Sequence, residues 1–175
     1  SRFLNERVAA ALPLLAARRD DLEIAHQTGE KDVAEVRARY EAAGFGDARV
    51  AAYFPDMPAR FRAAGLLLCR AGATTIAELI AARRAALLVP FAGAAEDHQA
   101  ANAAELARVG GAEVLTEAEA SPERLAGRIL HYLDARDELD AMARALAPLA
   151  TPDAADRIAD LCLDLHDAGV RGEAK

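Results

Sequence analysis

Residues 66–78 constrain the fold more than any other stretch of this chain. A run of apolar residues that ends at Cys69 is followed by Arg70 and Gly72, and then by apolar residues at helical spacing. This change of pattern is typical of a buried strand, a tight turn and a helix in succession. The segment therefore predicts one unit of an α/β fold.

The turn in this segment allows two interpretations. Gly72 has no Cβ, so the backbone can approach a ligand closely, and the amides of residues 73–75 would be the unpaired donors of a helix N-terminus, which suit a phosphate. Alternatively, Thr75 and Glu78 form a capping box, in which the two side chains close off backbone N–H groups and bind no ligand. The residues of the turn alone leave both interpretations open.

The rest of the chain alternates between helix and strand patterns. We predict helices over residues 3–18, 32–43 and 76–84, a short helix that starts at Asp56 or Pro58 and ends at residue 64, and another that opens at residue 97. Strands are predicted over residues 22–26, 48–54, 86–90 and 112–115. A hydroxyl residue followed by proline and an acid predicts the start of two more helices, at residues 121 and 151.

This order predicts a single α/β domain over residues 1–175, with a parallel sheet and helices on both of its faces. We expect Cys69, Leu88 and Val114 to lie in buried strands, and we expect both cysteines to be core thiols. The last helix carries an apolar stripe that we expect to pack against a neighbouring element, with part of it exposed if that element belongs to an absent domain. The stripe consists of Ile158, Leu161, Cys162 and Leu165.

Charge and hydropathy argue against several classes of function. The formal net charge is -7 and the basic residues are scattered, which argues against a partner with a phosphate backbone, so we expect no nucleic acid. The apolar runs are short and interrupted by charge, so the sequence predicts neither a transmembrane segment nor a signal peptide. The two cysteines have no spacing typical of a metal or redox site.

Five motifs in a fixed order resemble one protein family closely. They are His-Gln-Thr-Gly at 26–29, Phe-Pro-Asp-Met at 54–57, Cys-Arg-Ala-Gly-Ala-Thr-Thr-Ile-Ala-Glu at 69–78, Val-Pro-Phe at 89–91 and Asp-His-Gln-Ala-Ala-Asn at 97–102. Together they resemble the C-terminal domain of the MurG family, bacterial enzymes that transfer N-acetylglucosamine from UDP to undecaprenyl-pyrophosphate-linked muramoyl peptide in peptidoglycan synthesis. The resemblance covers nearly the whole chain. It implies the Rossmann-like, donor-binding half of a two-domain GT-B glycosyltransferase.

The resemblance implies contacts with the nucleotide. Glu78 would accept hydrogen bonds from both ribose hydroxyls, because a carboxylate is a pure acceptor. Arg70 and the amides around Gly72, Ala73 and Thr74 would lie against the diphosphate. With no Asp-x-Asp motif in the chain, the resemblance implies no metal ion and no other cofactor.

The resemblance also implies contacts with the base and the sugar. Phe54 would meet the uracil through its backbone, and Gln99, with His98 beside it, would read the hydroxyls of N-acetylglucosamine. For His98, an exposed first-turn histidine without a ligand contact stays an open alternative. For His26 we expect a structural hydrogen bond at a strand end. No catalytic residue is assigned to this chain.

The sequence departs from the family at its start. The family's C-terminal domain begins with a strand and a Gly-Gly-Ser-x-Gly loop before the first helix, and a separate N-terminal domain carries the lipid-acceptor site, the surface that contacts the cytoplasmic face of the inner membrane and the catalytic base. Neither part is seen in residues 1–175. We therefore expect the donor-binding fragment of a peripheral membrane enzyme. We expect this fragment to be inactive on its own. Its sheet should have a slot between two unpaired edges, where the first strand would lie.

Two classes of function follow from the sequence. One is the donor half of a UDP-N-acetylglucosamine transferase, or of a related UDP-sugar transferase with another acceptor. The other is a non-catalytic nucleotide-binding or interaction module of the same fold. A preference for the N-acetyl sugar over glucose in the donor would separate them.

Overall fold

The computed structural model describes residues 1–93 and 97–172. Helices and short parallel strands alternate along the chain, as the sequence predicts. The helices are α1 (Arg2–Leu15), α2 (Val33–Ala42), α3 (Met57–Ala63), α4 (Ala73–Ala82), α5 (His98–Arg108), α6 (Pro122–Asp134), α7 (Arg136–Ala145) and α8 (Ala154–Gly172), with 3₁₀ turns at Ala16–Asp21 and Ala147–Leu149. The strands are β1 (Ala25–Gln27), β2 (Arg49–Ala51), β3 (Leu67–Cys69), β4 (Ala86–Leu88) and β5 (Ala112–Val114).

The strands form two parallel sheets. Strands β1 and β2 pair with Ala25 opposite Arg49, while β3, β4 and β5 pair in that order, with Leu67 opposite Ala86 and Leu87 opposite Glu113. Within the described residues no ladder joins β1 to β3. A break in the sheet is expected from the sequence, and the strand expected to fill it stays a prediction.

Helices cover both faces of β4, which is why its residues are apolar without alternation. Leu88 lies in a buried cluster with Leu79 of α4 and Leu106 of α5. Leu87 lies in another buried cluster, with Leu4 of α1 and Leu125 of α6. A strand buried on both sides is typical of the middle of a parallel α/β sheet.

Helix α1 packs against both sheets. Leu12 lies in a buried cluster with Tyr40 of α2 and Val50 of β2. One end of the same helix places Leu4 against Leu87 of β4. The two sheets therefore share one helix as a common layer.

Several predicted boundaries and burials differ from the structure. The strand predicted over residues 22–26 is Ala25–Gln27, because pairing with β2 begins only at Ala25. The helix predicted over residues 76–84 begins at Ala73 and ends at Ala82, and the helix predicted from residue 151 begins at Ala154. Leu88 is buried as expected, whereas Cys69 and Val114 are only half-buried. Asp56, and not Pro58, is the N-cap residue of α3.

The expectation for the last helix is wrong in this structure. Ile158, Leu161 and Leu165 are 63%, 58% and 65% exposed. Cys162, expected to be a core thiol, is exposed as well. The stripe has helical spacing, but it contributes no buried side chain to the described core. No helix in the described part of the chain is long and apolar enough to cross a membrane.

The space around two glycines, Gly111 before β5 and Gly127 in α6, predicts opposite effects of an added side chain. A Cβ added at Gly111 would lie 2.2 Å from Cδ2 of the fully buried Leu146. We expect Gly111→Ala to lower the free energy of unfolding by about 1–3 kcal/mol through overpacking. A Cβ added at Gly127, inside α6, meets nothing within 4 Å.

Gly127→Ala is therefore the control with the opposite sign, and it should stabilise the protein by about 0.5–1 kcal/mol through higher helix propensity. Urea denaturation of both variants measures the two changes. Equal effects of the two substitutions would contradict the packing described for Gly111.

Candidate functional site

The loops that follow the strands gather at one edge of the fold. Asn5, near the start of α1, donates from Nδ2 to the carbonyl oxygen of Thr28 after β1, at 2.9 Å. Arg70, after β3, donates from Nε to Ser1 Oγ at 3.2 Å. The carboxyl ends of both sheets therefore meet the N-terminal end of α1. Ligands of parallel α/β sheets bind at this edge.

Helix α4 offers free backbone donors at this edge. Gly72 is its N-cap residue, and the first intrahelical bond runs from the amide of Ile76 to the carbonyl of Gly72, at 2.9 Å. The amides of residues 73–75 precede that bond, and the glycine has no side chain with which to cap them. Thr75 is thus the third residue of the helix and not its cap, so the capping-box interpretation is wrong.

The protein's own packing does not require a glycine at position 72. Gly72 has φ -65° and ψ 148°, which any residue adopts, and an added Cβ would meet nothing within 4 Å. The space that the missing side chain leaves is open to the outside, where Ala73 and Thr74 are exposed. A ligand could therefore approach the backbone closely at this point.

Glu78 lies on the exposed side of α4, six positions after the N-cap. Burial raises the pKa of the Cys69 thiol to about 12, and the negative charge of Glu78 adds to that rise. The charge of Glu78 thus acts electrostatically on the end of β3. Side chains of a helix lean towards its N-terminus, which brings this carboxylate towards the free amides of α4.

Arg70 is engaged by the protein on several sides. Its NH1 group donates to the carbonyl oxygens of Val89 and Pro90, both at 3.0 Å, and its NH2 group donates to Glu117 Oε1 at 2.5 Å. The guanidinium carbon lies 5.5 Å from the centre of the Phe91 ring. The cation lies in the cleft, but most of its donors hold the loops after β4 and β5.

The backbone of Phe54 is held by a glutamine. Its N–H donates to Gln27 Oε1 at 2.9 Å. Its ring is buried, with the guanidinium of Arg60 at 3.7 Å from the ring centre. Arg60 itself pairs with Asp56 at 2.8 Å, which lowers the pKa of that carboxyl group. The carbonyl oxygen of Phe54 is the backbone group of this residue that could contact a nucleobase.

The first turn of α5 lies beside the loop after β4. Gln99 Oε1 accepts a hydrogen bond from the N–H of Phe91 at 3.1 Å. Because Oε1 is engaged, the Nε2 donors are what Gln99 offers to a ligand. His98 is exposed in the same turn. Asn102, one turn further, donates to the carbonyl oxygen of Ala71 at 3.1 Å and ties α5 to the loop before α4.

Sequence reasoning missed three residues of this cleft. Gln27 belongs to the motif at 26–29, and its side-chain amide is a usable signal. Asn102 was the last residue of another motif. Glu117 carried no signal, because nothing in the sequence pairs a residue after β5 with one after β3. Among the described residues no group of three or more His, Cys, Asp or Glu side chains is placed to hold a metal ion.

A buried polar network fixes the end of β1. Asn5 is buried and donates from Nδ2 to Thr28 O and to Asp32 Oδ2, at 2.9 and 2.8 Å. Its Oδ1 therefore accepts from His26 Nε2 at 3.0 Å, so the His26 proton is on Nε2. The neutral Nδ1 then accepts from the hydroxyl of Tyr40 at 3.1 Å. The structural hydrogen bond expected for His26 is confirmed.

Comparison with known proteins identifies relatives over most of the chain. The sequence profile of the glycosyltransferase family 28 C-terminal domain matches residues 1–158. A UDP-N-acetylglucosamine--N-acetylmuramyl-(pentapeptide) pyrophosphoryl-undecaprenol N-acetylglucosamine transferase from Anaeromyxobacter sp. (strain K) is 43% identical over 162 residues, which cover 93% of this chain and 42% of the relative. The protein of the same name from Rhodospirillum rubrum is 44% identical, over 92% of this chain and 42% of its own length.

A solved structure shows the same fold. The crystal structure of Acinetobacter baumannii MurG matches with a TM-score of 0.75 and 33% sequence identity, over 92% of this chain and 46% of that chain. The Rossmann-like fold of a GT-B C-terminal domain, expected from the motifs, is confirmed. The chain spans less than half the length of the relatives it matches.

The network around His26 predicts a specific dependence of stability on pH. Burial lowers the pKa of His26 from 6.5 to about 4 in the folded protein. The unfolded chain thus binds a proton near pH 6.5, whereas the folded protein does so only near pH 4. The contribution of neutral His26 to the free energy of unfolding is complete above pH 6.5. About 3 kcal/mol of this free energy is lost as the pH falls to 4.

His26→Gln should remove this part of the pH dependence, so its stability should fall less steeply between pH 7 and 4 than that of the wild type. Urea denaturation at a series of pH values gives both slopes. The same substitution at His166, which is exposed on α8, is the control and should keep the slope of the wild type. Equal slopes for all three proteins would contradict the buried neutral state of His26.

Proposed function

Because this chain belongs to the glycosyltransferase family 28 C-terminal domain family, we propose that it binds the nucleotide-sugar donor of a glycosyl transfer reaction. The donor is UDP-N-acetylglucosamine, as the names of its relatives indicate for those proteins. The observation that carries the proposal is the N-terminus of α4, where a glycine N-cap leaves the amides of residues 73–75 without a side-chain cap at the ligand-binding edge.

In this proposal the diphosphate lies against the amides around Gly72, Ala73 and Thr74. Their N–H groups and the positive end of the α4 dipole stabilise the charge of the departing UDP. Arg70 contributes positive charge behind this site, while most of its donors keep the surrounding loops in place. The chain's part in catalysis is to stabilise the leaving group, and the catalytic base lies outside the chain.

Glu78 accepts hydrogen bonds from the ribose. It lies five residues after the first residue of α4, which is about 7.5 Å along the helix axis. Its side chain leans back towards the helix N-terminus. A nucleotide whose diphosphate meets the first amides would thus place its ribose over the first turns of the same helix.

The base and the sugar lie on either side of this helix end. The carbonyl oxygen of Phe54 accepts from the uracil N3–H, because the Phe54 N–H is bound to Gln27. Gln99 donates from Nε2 to a hydroxyl of N-acetylglucosamine, because its Oε1 is bound to Phe91. His98 completes the sugar side of the cleft.

The complete reaction involves a second substrate. The acceptor is a lipid-linked muramoyl peptide, as in the names of the relatives, and it is bound by a domain other than this one. The product is the disaccharide lipid intermediate of peptidoglycan synthesis, made by a hexosyl transfer at the cytoplasmic face of the inner membrane. On its own, residues 1–175 should bind the donor without transferring the sugar.

Titration with two donors tests the proposal against a general nucleotide-binding module. We expect tighter binding of UDP-N-acetylglucosamine than of UDP-glucose by the full-length protein, because the N-acetyl group adds polar and apolar contacts. Isothermal calorimetry measures both affinities. Equal affinities would favour the non-catalytic module, and no binding of either would refute the donor site.

The ribose contact predicts the effect of one substitution. In Glu78→Gln one acceptor oxygen and the negative charge are lost, which should cost about 1.5–3 kcal/mol of UDP binding, or roughly tenfold to a hundredfold in affinity. Affinity for inorganic pyrophosphate and thermal stability should stay unchanged. Calorimetry and thermal unfolding measure the three quantities.

Glu105→Gln is the matched control, because Glu105 is exposed on the neighbouring helix α5 and pairs with Arg108 one turn away. It should bind UDP like the wild type. If Glu78→Gln keeps full affinity for UDP, the carboxylate does not contact the ribose.

A further inference from the structure

A short ion pair at the ligand-binding edge involves a residue without a role so far. Glu117, which follows β5, accepts from Arg70 NH2 at 2.5 Å. The Arg70 and Glu117 side chains are only 17% and 25% exposed. A charge-assisted hydrogen bond in such partial burial is stronger than a surface ion pair. Glu117 thus anchors the guanidinium from the side of β5.

The anchored guanidinium in turn holds the loop after β4. Arg70 NH1 donates to the carbonyl oxygens of Val89 and Pro90, both at 3.0 Å, and its guanidinium lies near the ring of Phe91. Two carbonyls bound to one planar group fix the path of residues 89–91. If Glu117 were removed, one donor of a half-buried cation would lose its partner, and the guanidinium could turn away from these carbonyls.

The same loop orients the proposed sugar-binding amide. The N–H of Phe91 donates to Gln99 Oε1 at 3.1 Å. The side-chain amide is planar, so the atom that holds Oε1 also sets the direction of Nε2. A chain of hydrogen bonds thus runs from Glu117 through Arg70 and residues 89–91 to Gln99.

We propose that Glu117 is a positioning residue for the sugar of the donor, which it orients through Arg70, the loop 89–91 and Gln99. The inference rests on the proposed donor-binding function and adds a determinant of sugar preference to it. Glu117 itself touches no ligand. Its contribution is therefore to the preference for UDP-N-acetylglucosamine over UDP, which lacks the N-acetylglucosamine.

The test measures the ratio of the dissociation constants of UDP and UDP-N-acetylglucosamine in the full-length protein by calorimetry. Glu117→Ala should lower this preference by about three- to tenfold, the effect of one misplaced hydrogen bond. Glu117→Gln keeps an acceptor oxygen for Arg70 and should restore most of the preference. Gln99→Ala should lower it to a similar extent, and Glu117→Ala should add nothing in the Gln99→Ala background.

A second ion pair of the same kind supplies the control. Glu113 accepts from Arg128 NH2 at 2.7 Å, with side chains 19% and 23% exposed, and it also accepts from the hydroxyl of Tyr132. Glu113→Ala should lower thermal stability and leave the preference at the wild-type value. It thereby separates loss of an ion pair from loss of sugar positioning.

Two results would overturn the proposal while leaving the donor site intact. One is a preference for UDP-N-acetylglucosamine over UDP that is equal in Glu117→Ala and Glu113→Ala. The other is a further fall in preference when Glu117→Ala is added to Gln99→Ala, since Glu117 would then act by another route. If the wild type binds neither UDP nor UDP-N-acetylglucosamine, the proposed function fails and this inference falls with it.

Discussion

The packing of α1 between two separate sheets is the contact on which the rest of the structure depends. No backbone ladder joins β1 to β3 in the described part of the chain, so side chains must hold the halves together. Leu12 does so against β2 and α2, and Leu4 does so against β4 and α6. The buried Asn5 adds a polar anchor, because it binds Thr28 and His26 at the end of β1. A buried amide is tolerated only when its donors and acceptor are all bound, as they are here. The relative position of the two strand ends that line the cleft therefore follows from the position of one helix.

Side-chain amides hold the loops at these strand ends. Gln27 binds the N–H of Phe54, Gln99 binds the N–H of Phe91, and Asn102 binds the carbonyl of Ala71. Loops that leave a sheet lose the ladder partners of their backbone groups, and each unpaired group costs free energy when it is buried. An amide can supply either a donor or an acceptor without adding charge. These hydrogen bonds order the cleft before a ligand arrives, which lowers the entropic cost of binding.

The sequence predicts the elements of this fold better than it predicts the contacts between them. Apolar runs and turn residues place the described strands to within a few residues, and the motif around Gly72 locates the edge of the candidate site. The sequence left the capping box open as an alternative, because Thr75 and Glu78 fit its spacing although the N-cap residue is Gly72, three residues earlier. The burial of Cys162 was misread because helical spacing defines an apolar stripe but not what covers it. The ion pair of Arg70 with Glu117 could not be predicted, because it joins residues from two strand ends far apart in sequence.

The proposed binding of a diphosphate to an acidic chain raises a question of magnitudes. The net charge of -7 repels an anion, but surface charges more than about 8–10 Å away are largely screened at physiological ionic strength. At the cleft itself, the negative charge of Glu117 offsets the positive charge of Arg70 at 2.5 Å. In the proposed site, the attraction for the diphosphate would come mainly from the α4 amides, which act by direct hydrogen bonds at short range. Such donors are fixed in direction by the helix, so they favour a ligand whose oxygens match their geometry over anions in general. In the proposed site, local backbone geometry therefore outweighs the overall charge of the chain in selecting the anion.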